Sequence, residues 1–272
     1  GFHDLVSVVA PLSVGDSLWV TLAEREGPVT LVCDDPAVPG GAENLAVRAA
    51  EAWREAAGSR RAIHVQLTKR IPMGAGLGGG SSNAAAVLLA LESLDGGRLG
   101  PARLAALAAG LGSDCPLFLA RAPCLMRGRG ERLEALAARV RTRLSGQRLL
   151  VFKPDFGIST PWAYGRLAAA QGAAYLPADE AERRLRAWME GTDGPAALLF
   201  NSFERVAFGK FQALPVVLDM LRRQPGVHGV LLSGSGSACF ALLGPEADVA
   251  ELRRLVLAAL GERVFIAEAT TR

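Results

Sequence analysis

The sequence predicts an α+β fold in two lobes, and three observations carry that expectation. Short alternating runs that read as strands are mixed with runs of helical period along the whole chain. Strand runs are joined by tight turns in some places and across helices in others, so hairpins and crossovers both occur. Around Leu144–Arg148 the composition turns polar before a new apolar run begins, which sets an expected boundary between residues 1–147 and 148–272. A length of 272 residues suits two modest domains better than one compact core.

In chain order, Ser17–Leu22 alternates with Leu18, Val20 and Leu22 on one face, and Val29–Cys33 is a second β-rich run. Ala42–Ala57 takes a helical period, with Leu45, Ala49, Trp53 and Ala56 lining one side and Gly58 as a stop. Ile63–Leu67 alternates again and leads into a glycine run. Ala84–Leu94 then reads as an apolar helix, and Arg103–Leu111 as a shorter one. Past the boundary come a strand at Leu149–Phe152 and helices near Ala178–Met189, Ala196–Phe208 and Phe211–Arg223. Strands at Val230–Ser233 and Ala238–Leu243, a helix at Ala247–Leu260 and a final strand at Arg263–Ala267 complete the chain.

Half the residues are apolar and 21% are charged, the balance of a globular protein rather than a disordered one. The 30 basic and 27 acidic residues are interleaved, and the net charge of +3 leaves no basic block for a nucleic acid. Ile71–Leu91 carries no charge, but its first half is glycine and serine, so it is not expected to span a membrane. With no signal peptide legible, the expected location is the cytoplasm. The four cysteines form no CxxC pair, the three histidines lie far apart, and no metal ligands can be assigned. Oligomeric state is not legible.

Three loops are candidates for chemistry. The first runs Pro72-Met73-Gly74-Ala75-Gly76-Leu77-Gly78-Gly79-Gly80-Ser81-Ser82-Asn83, between a strand and a helix. Glycines let backbone N–H groups converge on phosphate oxygens, and a helix start adds unpaired N–H groups and a positive dipole end. Ser81, Ser82 and Asn83 add side-chain donors at the expected N-cap, where one of them could approach a metal bound to the phosphates. No GK[ST] closes the run, so it is not a Walker loop, and the glycine spacing is not a Rossmann fingerprint. The second is Gly112-Ser113-Asp114-Cys115-Pro116, in which Asp114 could orient or deprotonate a substrate hydroxyl. Taken alone, that aspartate reads first as a turn residue or helix cap. The third, Leu232-Ser233-Gly234-Ser235-Gly236-Ser237-Ala238, fits a plain hairpin equally well. At the start of the sequence, Phe2 beside His3 could stack on and hydrogen-bond to a planar base. Arg127-Gly128-Arg129-Gly130-Glu131 reads as a turn with solvated charges.

Together, Pro72–Ala85 and Leu111–Phe118 resemble two signature loops of the galactokinase, homoserine kinase, mevalonate kinase and phosphomevalonate kinase (GHMP) superfamily. The long form GAGLGGGSSNAA, the Gly1-Phe2-His3 start and Leu232–Cys239 are similar to the branch that phosphorylates 4-diphosphocytidyl-2-C-methyl-D-erythritol in the non-mevalonate (MEP) isoprenoid pathway. The resemblance implies a ribosomal-protein-S5-like N-terminal lobe, a ferredoxin-like C-terminal lobe and an active site between them. It implies ATP with Mg²⁺, the nucleotide held by Pro72, Gly74 and Gly76–Asn83, and transfer of the γ-phosphate to the substrate's 2-hydroxyl. On the same basis Asp114 is the catalytic base or orienting group, and Phe2, His3, Tyr164, Gly234, Ser235 and Gly236 serve the cytidine-linked substrate. The superfamily also carries a lysine on a strand ahead of the Gly-aromatic-His motif. This sequence opens at that motif, on Gly1 rather than methionine, so it is expected to begin inside a longer chain. The other readings are a relative acting on homoserine, mevalonate or a sugar, and a nucleotide-binding protein without catalysis.

Overall fold

A computed structural model describes residues 5–128, 130–170 and 174–272. The chain runs through β1 (Leu5–Val9), β2 (Ser17–Glu26), β3 (Val29–Cys33), α1 (Leu45–Ala56), β4 (Arg61–Thr68), α2 (Gly79–Leu94), α3 (Gly100–Leu111) and α4 (Cys115–Ala120). It continues through β5 (Cys124–Gly128), β6 (Arg132–Ala135), α5 (Ala138–Leu144), β7 (Arg148–Lys153), α6 (Thr160–Ala169), α7 (Ala178–Glu190), a 3₁₀ turn (Pro195–Leu198) and α8 (Ser202–Ala207). The last elements are α9 (Ala213–Arg222), β8 (Val227–Leu232), β9 (Cys239–Leu243), α10 (Val249–Leu260) and β10 (Phe265–Thr270).

The N-terminal part holds two three-stranded sheets, ordered β2-β4-β3 and β1-β5-β6. In the first, β2 runs antiparallel to β4, and β3 runs parallel to it after a crossover through α1. The alternation read in β2 is real: Leu18, Val20 and Leu22 pack inward while Trp19 points out. Helices α1, α2 and α3 cover the inner face around Trp53, Ile63, Leu88 and Leu91. Asn44 caps α1 by accepting from the Ala46 N–H at 2.9 Å. Buried Glu92 joins these helices, accepting from the Trp53 indole and from the Leu99 and Gly100 N–H groups that open α3.

The C-terminal sheet is antiparallel with order β10-β7-β9-β8, the ferredoxin-like arrangement in which the first and third of four strands lie centrally. Helices α9 and α10 bury Leu214, Leu218, Leu221, Leu252 and Val256 against one face. The other face, through Leu149, Val151 and Leu242, meets Leu12, Val14 and Leu77 from the N-terminal part. An α+β fold in two lobes is therefore what the chain forms.

Several boundaries differ from the expectation, each for a physical reason. Helix α2 starts at Gly79 rather than Ala84, because packing overrides the poor helix propensity of Gly79, Gly80 and the serines. Leu117–Ala120 lies in a short helix begun by Pro116 at its first turn. Ala196–Phe208 breaks into the 3₁₀ turn and α8, with Asn201 capping the latter. Arg127 is no solvated turn residue: it lies in the β5 strand of a hairpin and is bound by Glu182 and Glu134. Strand β1, the β5–β6 hairpin and helices α5 and α6 were not among the expected elements. Among the described residues no helix is long and apolar enough to cross a membrane.

Candidate active site

The glycine loop leaves β4 and ends on the first turn of α2. Gly74, Gly76 and Gly78 all adopt positive φ, at 63°, 73° and 68°. That conformation costs other residues strain, which explains why glycine alternates here. Gly78 is the N-cap of α2, and the Ser82 N–H donates to its carbonyl at 2.8 Å. The free N–H groups of Gly79, Gly80 and Ser81 thus form the open end of the helix. A Cβ on Gly76 would lie 2.7 Å from the Ser233 carbonyl oxygen, and one on Gly78 would lie 2.6 Å from the Phe118 ring. Both glycines are required by what packs on them.

Those contacts bring the three loops together. The Ala238 N–H donates to the Ala75 carbonyl at 2.9 Å, and the Ser233 hydroxyl donates to the Gly76 carbonyl at 3.1 Å. Phe118 of α4 presses on Gly78, and α2 packs along α4, whose buried first residue Cys115 follows Asp114. Leu77 is anchored in the cluster between the lobes. The third loop also reaches α6, where the Thr160 and Ser235 hydroxyls are 3.1 Å apart. Gly234 is exposed beside Gly76, whereas Gly236 is buried against Ile158 and Leu232.

Asp114 precedes the first residue of α4, and its side chain makes no capping hydrogen bond. The carboxylate keeps one side open to solvent, yet the surrounding protein desolvates it enough to push its pKa above the usual aspartate value. The Tyr164 phenol of α6 is pushed above its ordinary pKa by burial and further by the Asp114 charge. Its ring is partly exposed and packs edge-on to Phe203 at 5.0 Å. Phe2 and His3 lie outside the described residues.

The side chains of the helix start are turned inward rather than toward the cleft. Ser82 donates to the Gly79 carbonyl, and Asn83, 4% exposed, donates to Asp16 at 2.8 Å. Asp16 was not picked out in the sequence. Its carboxylate also accepts from the Lys69 ammonium at 2.5 Å and from the Arg70 and Ile71 N–H groups, both at 2.8 Å. Burial alone would raise its pKa, but the hydrogen bonds from Ile71, Lys69, Arg70 and Asn83 outweigh it and hold the group below the usual range. The only local signal was an aspartate next to a glycine just ahead of a strand, which more often marks a turn. Lys153, buried, donates to the Pro154 and Phe156 carbonyls.

A two-lobed α+β molecule with a glycine-lined helix start, and an aspartate at the head of the helix packed beside it, is a small-molecule kinase of the GHMP class. Residues 44–121 match the GHMP kinases N terminal domain, and residues 177–261 match the GHMP kinases C terminal model. The chain is 39% identical over 259 residues to a 4-diphosphocytidyl-2-C-methyl-D-erythritol kinase of Prochlorococcus marinus (strain MIT 9313), covering 92% of this chain and 79% of that protein. It is 38% identical over 259 residues to the enzyme of that name from Nitratidesulfovibrio vulgaris (strain DP4), covering 91% and 84%. A crystal structure of a 4-(cytidine 5'-diphospho)-2C-methyl-D-erythritol kinase superposes with a TM-score of 0.74 at 38% identity, over 99% of this chain and 91% of the other. The mevalonate kinase of Methanococcus jannaschii, at a TM-score of 0.70 but 12% identity over 100% of this chain and 99% of that one, shares the fold alone. The chain belongs to the 4-diphosphocytidyl-2-C-methyl-D-erythritol kinase family.

Proposed function

We propose that this chain transfers the γ-phosphate of ATP to the 2-hydroxyl of 4-diphosphocytidyl-2-C-methyl-D-erythritol, a step of the MEP route to isoprenoid precursors. The observation that carries the mechanism is the meeting of residues 74–78, 114–118 and 233–238 at one seam. In this reading the triphosphate lies over the N-terminus of α2, where backbone N–H groups and the helix dipole oppose its charge. The substrate hydroxyl oxygen attacks the γ-phosphorus, the bond to the β–γ bridging oxygen breaks, and ADP leaves. Asp114 orients that hydroxyl and takes its proton. Its raised pKa makes it a better proton acceptor than an ordinary aspartate. Tyr164 forms one wall of the cytosine pocket, with Phe2 and His3 proposed for the other. Gly234, Ser235 and Gly236 shape the rim beside the transferred phosphate.

Magnesium is proposed to enter as the ATP complex and to neutralise phosphate charge. Among the described residues no three His, Cys, Asp or Glu side chains gather, so the phosphates would supply most of its ligands. The reading places the enzyme in the cytoplasm with its nucleotide substrates. We also propose residues 1–147 and 148–272 as the two lobes. The start of the four-stranded sheet at Arg148 supports that division.

The test is ATP-dependent phosphorylation of the cytidine-linked polyol, with CMP as competitor. The expected result is turnover inhibited by CMP competitively with the polyol and not with ATP. ATP binding without transfer to this substrate would overturn the substrate assignment.

A further inference from the structure

The side chain of Asp16 is fully out of solvent, yet it is ionised, because each oxygen accepts from two donors. Lys69, Arg70 and Ile71 belong to the segment that leads out of β4 into the glycine loop, and Asn83 to the start of α2 into which the loop runs. Asp16 itself stands on a third segment, immediately ahead of β2. The loop between Ile71 and Asn83 is therefore a span whose two ends are tied to one carboxylate. The sheet beneath does not depend on these bonds, since β2 and β4 are already paired from Ser17↔Thr68 to Leu22↔Ile63. What the carboxylate adds is a hydrogen-bonded tie between the loop's entry and the helix start, beside the Ile71 side chain that packs on Gly79. The Lys69 ammonium it holds lies beside that start, 3.7 Å from where a Cβ on Gly79 would sit.

We infer that Asp16 is a positioning residue for the nucleotide: it touches no substrate, and it aims the N–H groups at the start of α2 by fixing both ends of the loop. This rests on the reading of that loop as the ATP site. A burial site this crowded also explains the residue type. An aspartate can accept from four donors at once, whereas asparagine offers one acceptor oxygen and turns its amide against Lys69 and Asn83.

The experiment compares the wild-type chain with Asp16→Asn and Asn83→Ala, by ATP calorimetry, steady-state kinetics and thermal melting. Asp16→Asn keeps the Arg70 and Ile71 bonds and breaks the other two. Losing bonds to a buried charge should raise both the Kd and the KM for ATP about tenfold. The KM for the polyol should move much less than the KM for ATP, because the bonds lost lie at the helix start, away from the contacts between the loop and residues 233–238. Asn83→Ala should shift ATP in the same direction by less. ATP constants unchanged, or both substrates' KM rising together with a fall in Tm, would overturn the inference. If Asp16→Asn fails to fold, wild-type ATP affinity in Asn83→Ala would overturn it. A wild-type chain that binds no ATP would remove the kinase reading itself and this inference with it, a result visible without any variant.

Discussion

Asp114 forms no ion pair among the described residues, and burial alone sets its pKa above the ordinary value of 3.8. Two consequences follow at the scale of this one side chain. In the proposed role of base it must be ionised, so activity should be lost as pH falls through its raised pKa, and the acid limb of kcat/KM should lie above 3.8. For stability the sign is opposite. The folded state binds the proton more tightly than the unfolded one, so ionised Asp114 costs stability as pH rises past its ordinary value. Asp114→Asn should therefore lose activity by about 10²–10⁴-fold while melting at a higher temperature at pH 7. An Asp114→Asn enzyme that kept wild-type kcat would remove Asp114 from the chemistry. Tyr164 carries a separate prediction, since stacking on a base is worth about 1–3 kcal/mol. Tyr164→Ala should raise the polyol KM about tenfold and leave the ATP KM alone. Equal effects on the two substrates would place the ring outside the base pocket.

At the scale of the element, the loop preceding α2 depends on glycines that cannot be exchanged. Gly78→Ala would hold an alanine at φ 68° with its Cβ 2.6 Å from the Phe118 ring. Backbone strain alone should cost about 1–2 kcal/mol, and relief of the clash would move α4 and the adjoining Asp114. Urea unfolding should show that loss, and kcat should fall along with ATP affinity; a variant with wild-type kcat and stability would contradict the packing described. This dependence is also why the loop could be read before any coordinates. A run in which Gly74, Gly76 and Gly78 all need positive φ leaves its requirement in the residue types themselves. The hairpin at Gly234–Gly236 was legible for the same reason, and the turn at Asp114 only from its residue types; their combination favoured chemistry over plain turns. Asp16 left no such trace, because its partners lie 53 to 67 residues away and only the fold assembles them. The start of α2 was misplaced because glycine and serine argue against helix locally, and packing against α1 and α4 decides otherwise. Arg127 was misread because the partner that buries it, Glu182, sits on a distant helix.

Across the whole molecule the lobes are joined by more than the loops. Although α7 belongs to the C-terminal half of the sequence, its Leu185 and Trp188 are buried with Leu125, Leu136, Val140 and Leu144 from the N-terminal half. Arg143 of α5 caps that helix, donating to the Trp188, Met189, Gly191 and Asp193 carbonyls while its guanidinium lies 4.6 Å from the Trp188 ring centre. At the other side, the Ser13 N–H donates to the Thr270 carbonyl at 2.8 Å, and Leu12, Val14 and Leu77 pack on the C-terminal sheet. With two such shared clusters, a loss in one lobe should be felt in the other. Trp188→Ala should thus cost about 3–5 kcal/mol, and the loss should be felt by both halves. The measurement is native-state amide exchange at Val65, in the centre of β4, and at Ala241, in the centre of β9. Matching acceleration at the two positions is the expected result, because exchange through global opening reports one shared free energy. Acceleration confined to Ala241 would mean that the lobes open separately and that α7 rests on the N-terminal half without stabilising it.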